Sequence, residues 1–212
     1  FNWADFIIWF VLGLFALIAL YPFIYVLAGS FNDGMDYSAG GIWLFPREVT
    51  LANYSVVLMD DDFWHAFGNT VLITVVGTVC ALLFTSVVAY AMSRRELRFR
   101  NFFQIANLFT MFFSGGLIPY FMIIVLLGLY DNFLVYIIPS IYSVYNMIII
   151  QNFFKGLPEE LREAAIIDGA SELKIWWTIY MPLSKPVLAT VALWLATGFW
   201  NSYFSTMVYT RA

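Results

Sequence analysis

Charge is what this chain has least of: 11% of its 212 residues are Asp, Glu, Lys or Arg, against about 25% in a typical soluble domain. Its one cysteine, Cys80, lies inside an apolar run, so an intrachain disulfide is excluded. Its one histidine, His65, has no Cys or second His beside it to complete a metal site, and the adjacent Asp60, Asp61 and Asp62 read as a solvated run. A Gly-rich loop ending in Lys-Ser or Lys-Thr is missing, which excludes a nucleotide-binding subunit. A second soluble domain, a low-complexity tract and a clear internal repeat are missing as well. The formal charge of −4 carries no information about nucleic acid, and no nucleic-acid partner is expected.

Hydrocarbon fills the space that charge leaves. Hydrophobic residues make up 62% of the chain and aromatics 20%. Five apolar runs, near 6–31, 70–92, 102–127, 133–154 and 186–209, are each long enough to cross about 30 Å of lipid hydrocarbon. Lipid offers backbone groups no partner, so each run is expected to be helical. The fold class is therefore all-α, a polytopic transmembrane helical bundle forming one domain over 1–212, with the lipid bilayer as its solvent. The first run has no basic leader and no small-residue cleavage site, so it reads as a retained anchor. Between it and the second run lies a polar segment, 32–69, whose "FNDGMDYSAGG" and "DDDFW" mark loop and short amphipathic pieces.

Basic residues give an orientation. Arg94, Arg95, Arg98 and Arg100 follow the second run, and Lys155, Arg162, Lys174 and Lys185 follow the fourth, so both connections are expected in the cytoplasm, as is the N-terminus. The opposite side, with Asp33, Asp36, Glu48, Asp60, Asp61, Asp62 and Asp131 against Arg47 and Arg211, is acid-rich and external.

The segment 155–183 is unlike a plain connector. In "GLPEELREAAIIDGAS", Pro158 suits a first helical turn, and Glu159 and Glu160 have the sign favoured at the positive end of a helix dipole. The spacing predicts a helix with Leu161, Ala164, Ala165 and Ile167 near one face, leaving Lys155, Glu159, Arg162 and Glu163 free to face elsewhere. Gly169 is placed to end it in the left-handed conformation, and Ser171 to cap a second helix running to Pro182. Trp176, Trp177 and Tyr180 suit the lipid headgroup zone. Two capped helices with a small-residue surface at Ala164, Ala165 and Gly169 look like a docking knob rather than a tether.

This stretch resembles the coupling motif in permease subunits of binding-protein-dependent ABC importers: Glu-Ala-Ala, three residues, Gly, nine residues, Ile, one residue, Leu-Pro. Here those positions are Glu163, Ala164, Ala165, Gly169, Ile179, Met181 and Pro182, with Met181 the single, apolar exchange; Asp168 stands beside the glycine. "LFPREVTLANY", "GNTVLITVVGT" and "FWNSYF" extend the likeness along most of the chain, toward maltose-type carbohydrate importers of the type I kind. The 32–69 loop is similar to that of permeases for oligosaccharides and uronate-containing glycans.

The resemblance implies a six-span subunit of the bacterial cytoplasmic (inner) membrane, one terminal span of which is not seen here. It implies a second permease subunit, two cytoplasmic ATPase subunits that bind ATP and Mg, and an extracytoplasmic solute-binding protein received at the acidic loop. The chain itself would then be no enzyme, would hold no cofactor, and would import a carbohydrate, an oligosaccharide in this reading. Glu163 would make a charged contact with the ATPase, Ala164 and Ala165 would pack closely, and Gly169 would make the bend.

Polar and aromatic groups within the runs mark a candidate sugar pathway: Ser114, Asn146, Trp200, Asn201 and Tyr203, with Gly115 and Gly116 beside the serine. Aromatic faces and amides suit a pyranose, and the same groups suit helix-to-helix contact. An ion-coupled secondary transporter is the alternative, but no ionisable side chain lies securely inside a run to carry an ion relay. A non-transporting membrane scaffold would not need the glycine-bent segment.

Overall fold

A computed structural model describes residues 3–211, whose regular elements are helices, with one isolated antiparallel bridge between Asn32 and Val49. The chain forms two compact units, 1–67 and 68–212, with the division inside one long helix.

In the first unit, α1 (Trp3–Ser30) is apolar all round, as a lipid-facing span should be, and at 1.5 Å per residue it is about 42 Å long. Two short helices follow, α2 (Gly34–Ser38) and α3 (Ala52–Leu58). The polar segment, loop and short helical pieces as expected, is organised around Asn32, which is fully buried. Its Nδ2 donates to Asp36 Oδ2 at 2.8 Å, and its Oδ1 accepts the N–H groups of Arg47 at 2.7 Å and Glu48 at 2.9 Å. Arg47 closes the ring with an ion pair to Asp36 at 2.9 Å. The Asn32 amide, followed by Arg47, holds the Asp36 carboxyl below its ordinary range.

The second run begins earlier than its apolar residues suggest. α4 (Asp61–Ser93) starts inside the aspartate triplet. Asp60 Oδ1 accepts from the N–H of Asp62 at 3.0 Å, while Asp61 and Asp62 sit in the first turn, at the positive end of the dipole. The triplet is exposed, as a solvated run should be, and it also starts a helix.

Beyond residue 68 the helices are α5 (Arg100–Phe112), α6 (Leu117–Leu126), α7 (Val144–Lys155), α8 (Glu160–Ile167), α9 (Glu172–Ile175), α10 (Met181–Leu183), α11 (Lys185–Trp200) and α12 (Tyr203–Tyr209). Among the described residues, α1 and α4 are long and apolar enough to cross a membrane unbroken, and up to five spans result if each bent helix pair counts as one. The expectation of five simple helices is corrected in its details. The third run bends by 115° between α5 and α6, where Gly116 takes φ 82° and its N–H turns to Ser114 Oγ at 3.3 Å. The fourth opens with 3₁₀ turns at Phe133–Tyr136 and Ile138–Ser140 before α7. The fifth is interrupted between α11 and α12.

The main apolar core gathers the end of α4 (Ala89, Met92), α7 (Ile150, Phe154), Ile175 of α9 and Val191 of α11. It lies directly against the segment expected to couple.

Candidate functional site

α8 forms much as its sequence suggests. The N–H groups of Arg162 and Glu163 bond the Glu159 carbonyl at 2.9 and 3.0 Å, which makes Glu159 the capping residue. At the other end Gly169, at φ 76°, donates to Ile166 O, and Ala170 to Ala165 O, both at 2.9 Å. That pair of bonds is a Schellman close, which a side chain at position 169 would strain. Ser171 then caps α9 through Lys174 N–H at 3.4 Å.

The second helix ends within one residue of Pro182, as expected. It runs continuously over Glu172–Leu183 by widening to a π-turn across Trp176–Tyr180, and it breaks by 87° into α11 only at Ser184. A proline has no N–H to give and collides with the carbonyl four residues back, and the widened turn relieves both problems.

The faces of α8 are the main departure from expectation. Ala165 and Ala170 pack against the core, but Leu161 and Ala164 are exposed and Ile167 is 86% exposed. Arg162, read as free to face elsewhere than the apolar side, turns inward, with its side chain only 11% exposed. Its Nη2 meets Glu172 Oε1 at 2.6 Å, and its Nη1 reaches Glu159 at 3.2 Å and Glu96 at 3.3 Å. Glu159 also binds Arg94 Nη1 at 3.1 Å. Arg94, 9% exposed, lies beside the edge-to-face pair of Tyr90 and Tyr180, at 5.0 and 4.9 Å from their ring centroids, and Tyr90 Oη donates to Glu172 Oε2. The bond from Arg162 holds the Glu172 carboxyl below the ordinary carboxylate range, and the same bond raises the Arg162 guanidinium. The sequence left the partners of these charges open; the signal for the network was two basic clusters on connections expected on one side.

What remains outward on α8 is Glu163 with Leu161, Ala164 and Ile167, an exposed surface of mixed charge and small or aliphatic groups. Asp168 and Gly169 are exposed at its end, whereas Ile179 and Met181 are half-buried against the core and Pro182 is exposed. The motif positions therefore divide into an outward group on α8 and a packing group around the π-turn.

The candidate pathway residues do not converge. Trp200 and Tyr203 line one cleft of about 360 Å³ together with Thr206. Asn201 uses its Nδ2 on the Thr197 carbonyl at 2.8 Å, closing the end of α11. Ser114 lines a separate cleft of about 350 Å³ at the α5–α6 bend, and Asn146 is buried in α7, lining neither.

Residues 81–210 match the model of the family described as binding-protein-dependent transport system inner membrane component. The chain is 41% identical to protein LplC of Bacillus subtilis over 93% of this chain and 67% of the relative. It is 37% identical to the polygalacturonan/rhamnogalacturonan transport system permease protein YtcP of the same organism, over 97% of this chain and 72% of the relative. Among solved structures, a chain of a bacterial ABC transporter involved in the import of the acidic polysaccharide alginate superposes on it with a TM-score of 0.92 at 39% identity, covering 100% of this chain and 77% of that one. The chain therefore belongs to the inner membrane components of binding-protein-dependent transport systems: it is a multi-pass permease subunit of an ABC importer of oligosaccharides or polysaccharides, non-catalytic itself, whose family works with ATPase and binding-protein partners.

Proposed function

We propose that the outward face of α8 is the contact for a cytoplasmic ATPase subunit, with Glu163 making the charged contact, Ala164 and Leu161 the close packing, and Gly169 the bend that presents it. The observation that carries this reading is an exposed, glycine-closed helix with its back packed on the core. A rigid knob of this kind transmits force, which a flexible loop does not. The end of α4 and segment 155–183 then lie in the cytoplasm, as their basic residues favour, and the N-terminus with them. A second permease and two ATPases complete the assembly, and the ATPases bind ATP and Mg. The solute-binding protein is received at the acidic 32–69 region. Trp200 and Tyr203 offer ring faces to a passing sugar.

The transported glycan is acidic in this reading. Its support is that polygalacturonan/rhamnogalacturonan and alginate appear in the names of a relative and a solved structure aligned over nearly the whole chain.

The test is substrate-stimulated ATPase activity of the reconstituted complex with Glu163→Lys and Gly169→Pro, checking that the ATPases co-purify. Proline fixes φ near −65° and cannot adopt the close at 169. Loss of the ATPases or of stimulated turnover is expected, and wild-type behaviour of both variants would sink the coupling assignment. Oligogalacturonate and a neutral maltooligosaccharide, each supplied with the binding protein, decide the glycan class. Stimulation by the neutral sugar alone overturns the acidic reading.

A further inference from the structure

Force delivered to α8 must reach the spans, and the backbone alone carries it poorly. α8 is joined to α7 through Gly156–Leu157–Pro158 and to α9 through the left-handed Gly169, and neither junction continues a helical hydrogen-bond ladder. What ties α8 down is its side chains. Arg162 grips Glu172 of α9 and, through Glu96, the tail just beyond α4; Arg94 grips Glu159 from that same tail while resting against both Tyr90 of α4 and Tyr180 of the π-turn. None of these residues occupies a position of the coupling motif. One planar guanidinium reaching three carboxylates fixes direction as well as distance, which a lysine ammonium cannot do.

We propose that Arg162, together with Arg94, is a positioning clamp that makes α8 and the end of α4 move as one body, so that displacement of α8 is delivered to α4. This inference rests on the reading of α8 as the ATPase contact. It assigns a task to the face of the helix opposite the one that docks. Connection through apolar packing alone would leave α8 free to rock about Ala165, because that alanine and Ala170 offer only small contacts to the core.

The experiment uses the whole complex, with Cys80→Ser in this chain and spin labels at Phe84 on α4 and Ile166 on α8, both of which are exposed. Distances between the labels are measured nucleotide-free and trapped with Mg-ATP and vanadate. A single narrow distance, the same in both states, is expected for the intact clamp. Arg162→Met is expected to broaden it, make it state-dependent and lower stimulated ATPase activity roughly fivefold, the low end of a typical coupling effect, while the ATPases still co-purify. Arg162→Lys should fall between the two, and should Arg162→Met not assemble, Arg162→Lys with Glu96→Gln decides. A distance that shifts between states in the intact chain, or that stays narrow and fixed in these variants, overturns the proposal. Failure of the docking reading shows separately, as Glu163→Lys retaining both ATPases and activity.

Discussion

Gln151 on α7 donates its Nε2 to the carbonyl of Met92 at 2.6 Å, across the core from the last turn of α4. Helix ends leave carbonyls without intrahelical partners, and here a buried amide from another helix supplies the missing bond. Gln151→Leu keeps the volume but orphans that carbonyl. The expected cost is about 1–3 kcal/mol, read as a lowered Tm of the detergent-solubilised complex. A variant as stable as wild type would mean that water reaches the Met92 carbonyl.

The helices α4 and α11 touch where Gly77 leaves room for the ring of Phe199. A Cβ built on Gly77 would stand 2.7 Å from Phe199 Cε1. Gly77→Val is therefore expected to force the ring or the helix aside at about 1–3 kcal/mol, the usual cost of overpacking. Phe199→Leu, made together with it, should recover part of the loss. If the two changes simply add, the contact is not where the strain lies.

Local rules made much of the coupling segment legible in the sequence. Ser171 as a cap and Gly169 as a left-handed close both follow from hydrogen bonds a few residues apart. Contacts between distant segments were less accessible. Arg162 carries the same charge whether it faces water or Glu96, 66 residues away, and nothing near it in the chain distinguishes the two. The α5–α6 bend was present as Ser114-Gly115-Gly116, but two glycines in an apolar run also suit close helix packing. Pro182 marks the helix end to within a residue, but the π-turn over Trp176–Tyr180 that precedes it has no local signal. The start of α4 was hidden by its aspartates, which polarity assigns to a loop and the helix dipole assigns to a first turn.

Asn32 organises the polar segment of the first unit, with its amide oxygen shared by two backbone N–H groups and its amide nitrogen on Asp36. Asn32→Leu removes these bonds, together with one to the Asp33 carbonyl, and leaves the part-buried N–H groups of Arg47 and Glu48 without this acceptor, at about 1 kcal/mol each. Limited proteolysis is expected to cut within residues 33–50 of this variant much faster than in wild type. Asn32→Asp keeps the acceptor but sets a second carboxylate against Asp36, so it should be cut at an intermediate rate. Equal rates for all three chains would show that the segment is held by other contacts.

Acid should loosen the clamp in a defined window. Glu172 has a folded pKa below its ordinary value of 4.5, with the hydrogen bond from Arg162 as the first cause, and Glu96 is lowered too, first by a backbone N–H and also by Arg162 and Arg94. For a depressed carboxylate the stabilisation is fully present above the unfolded pKa and is lost as pH falls through the folded one. The groups facing this site are Glu96, Glu159, Glu172, Arg94, Arg162 and Tyr90. Stability of the complex should then be flat with respect to these groups at neutral pH and decline below the ordinary carboxylate value. Glu172→Gln cannot ionise, so its Tm should be lower than that of wild type at neutral pH, and the gap should close as pH falls below 4.5. The partly exposed position of Glu172 keeps the gap modest, about 1 kcal/mol or less. A gap that persists unchanged at low pH would mean that Glu172 acts through the Tyr90 hydrogen bond and its packing rather than through its charge.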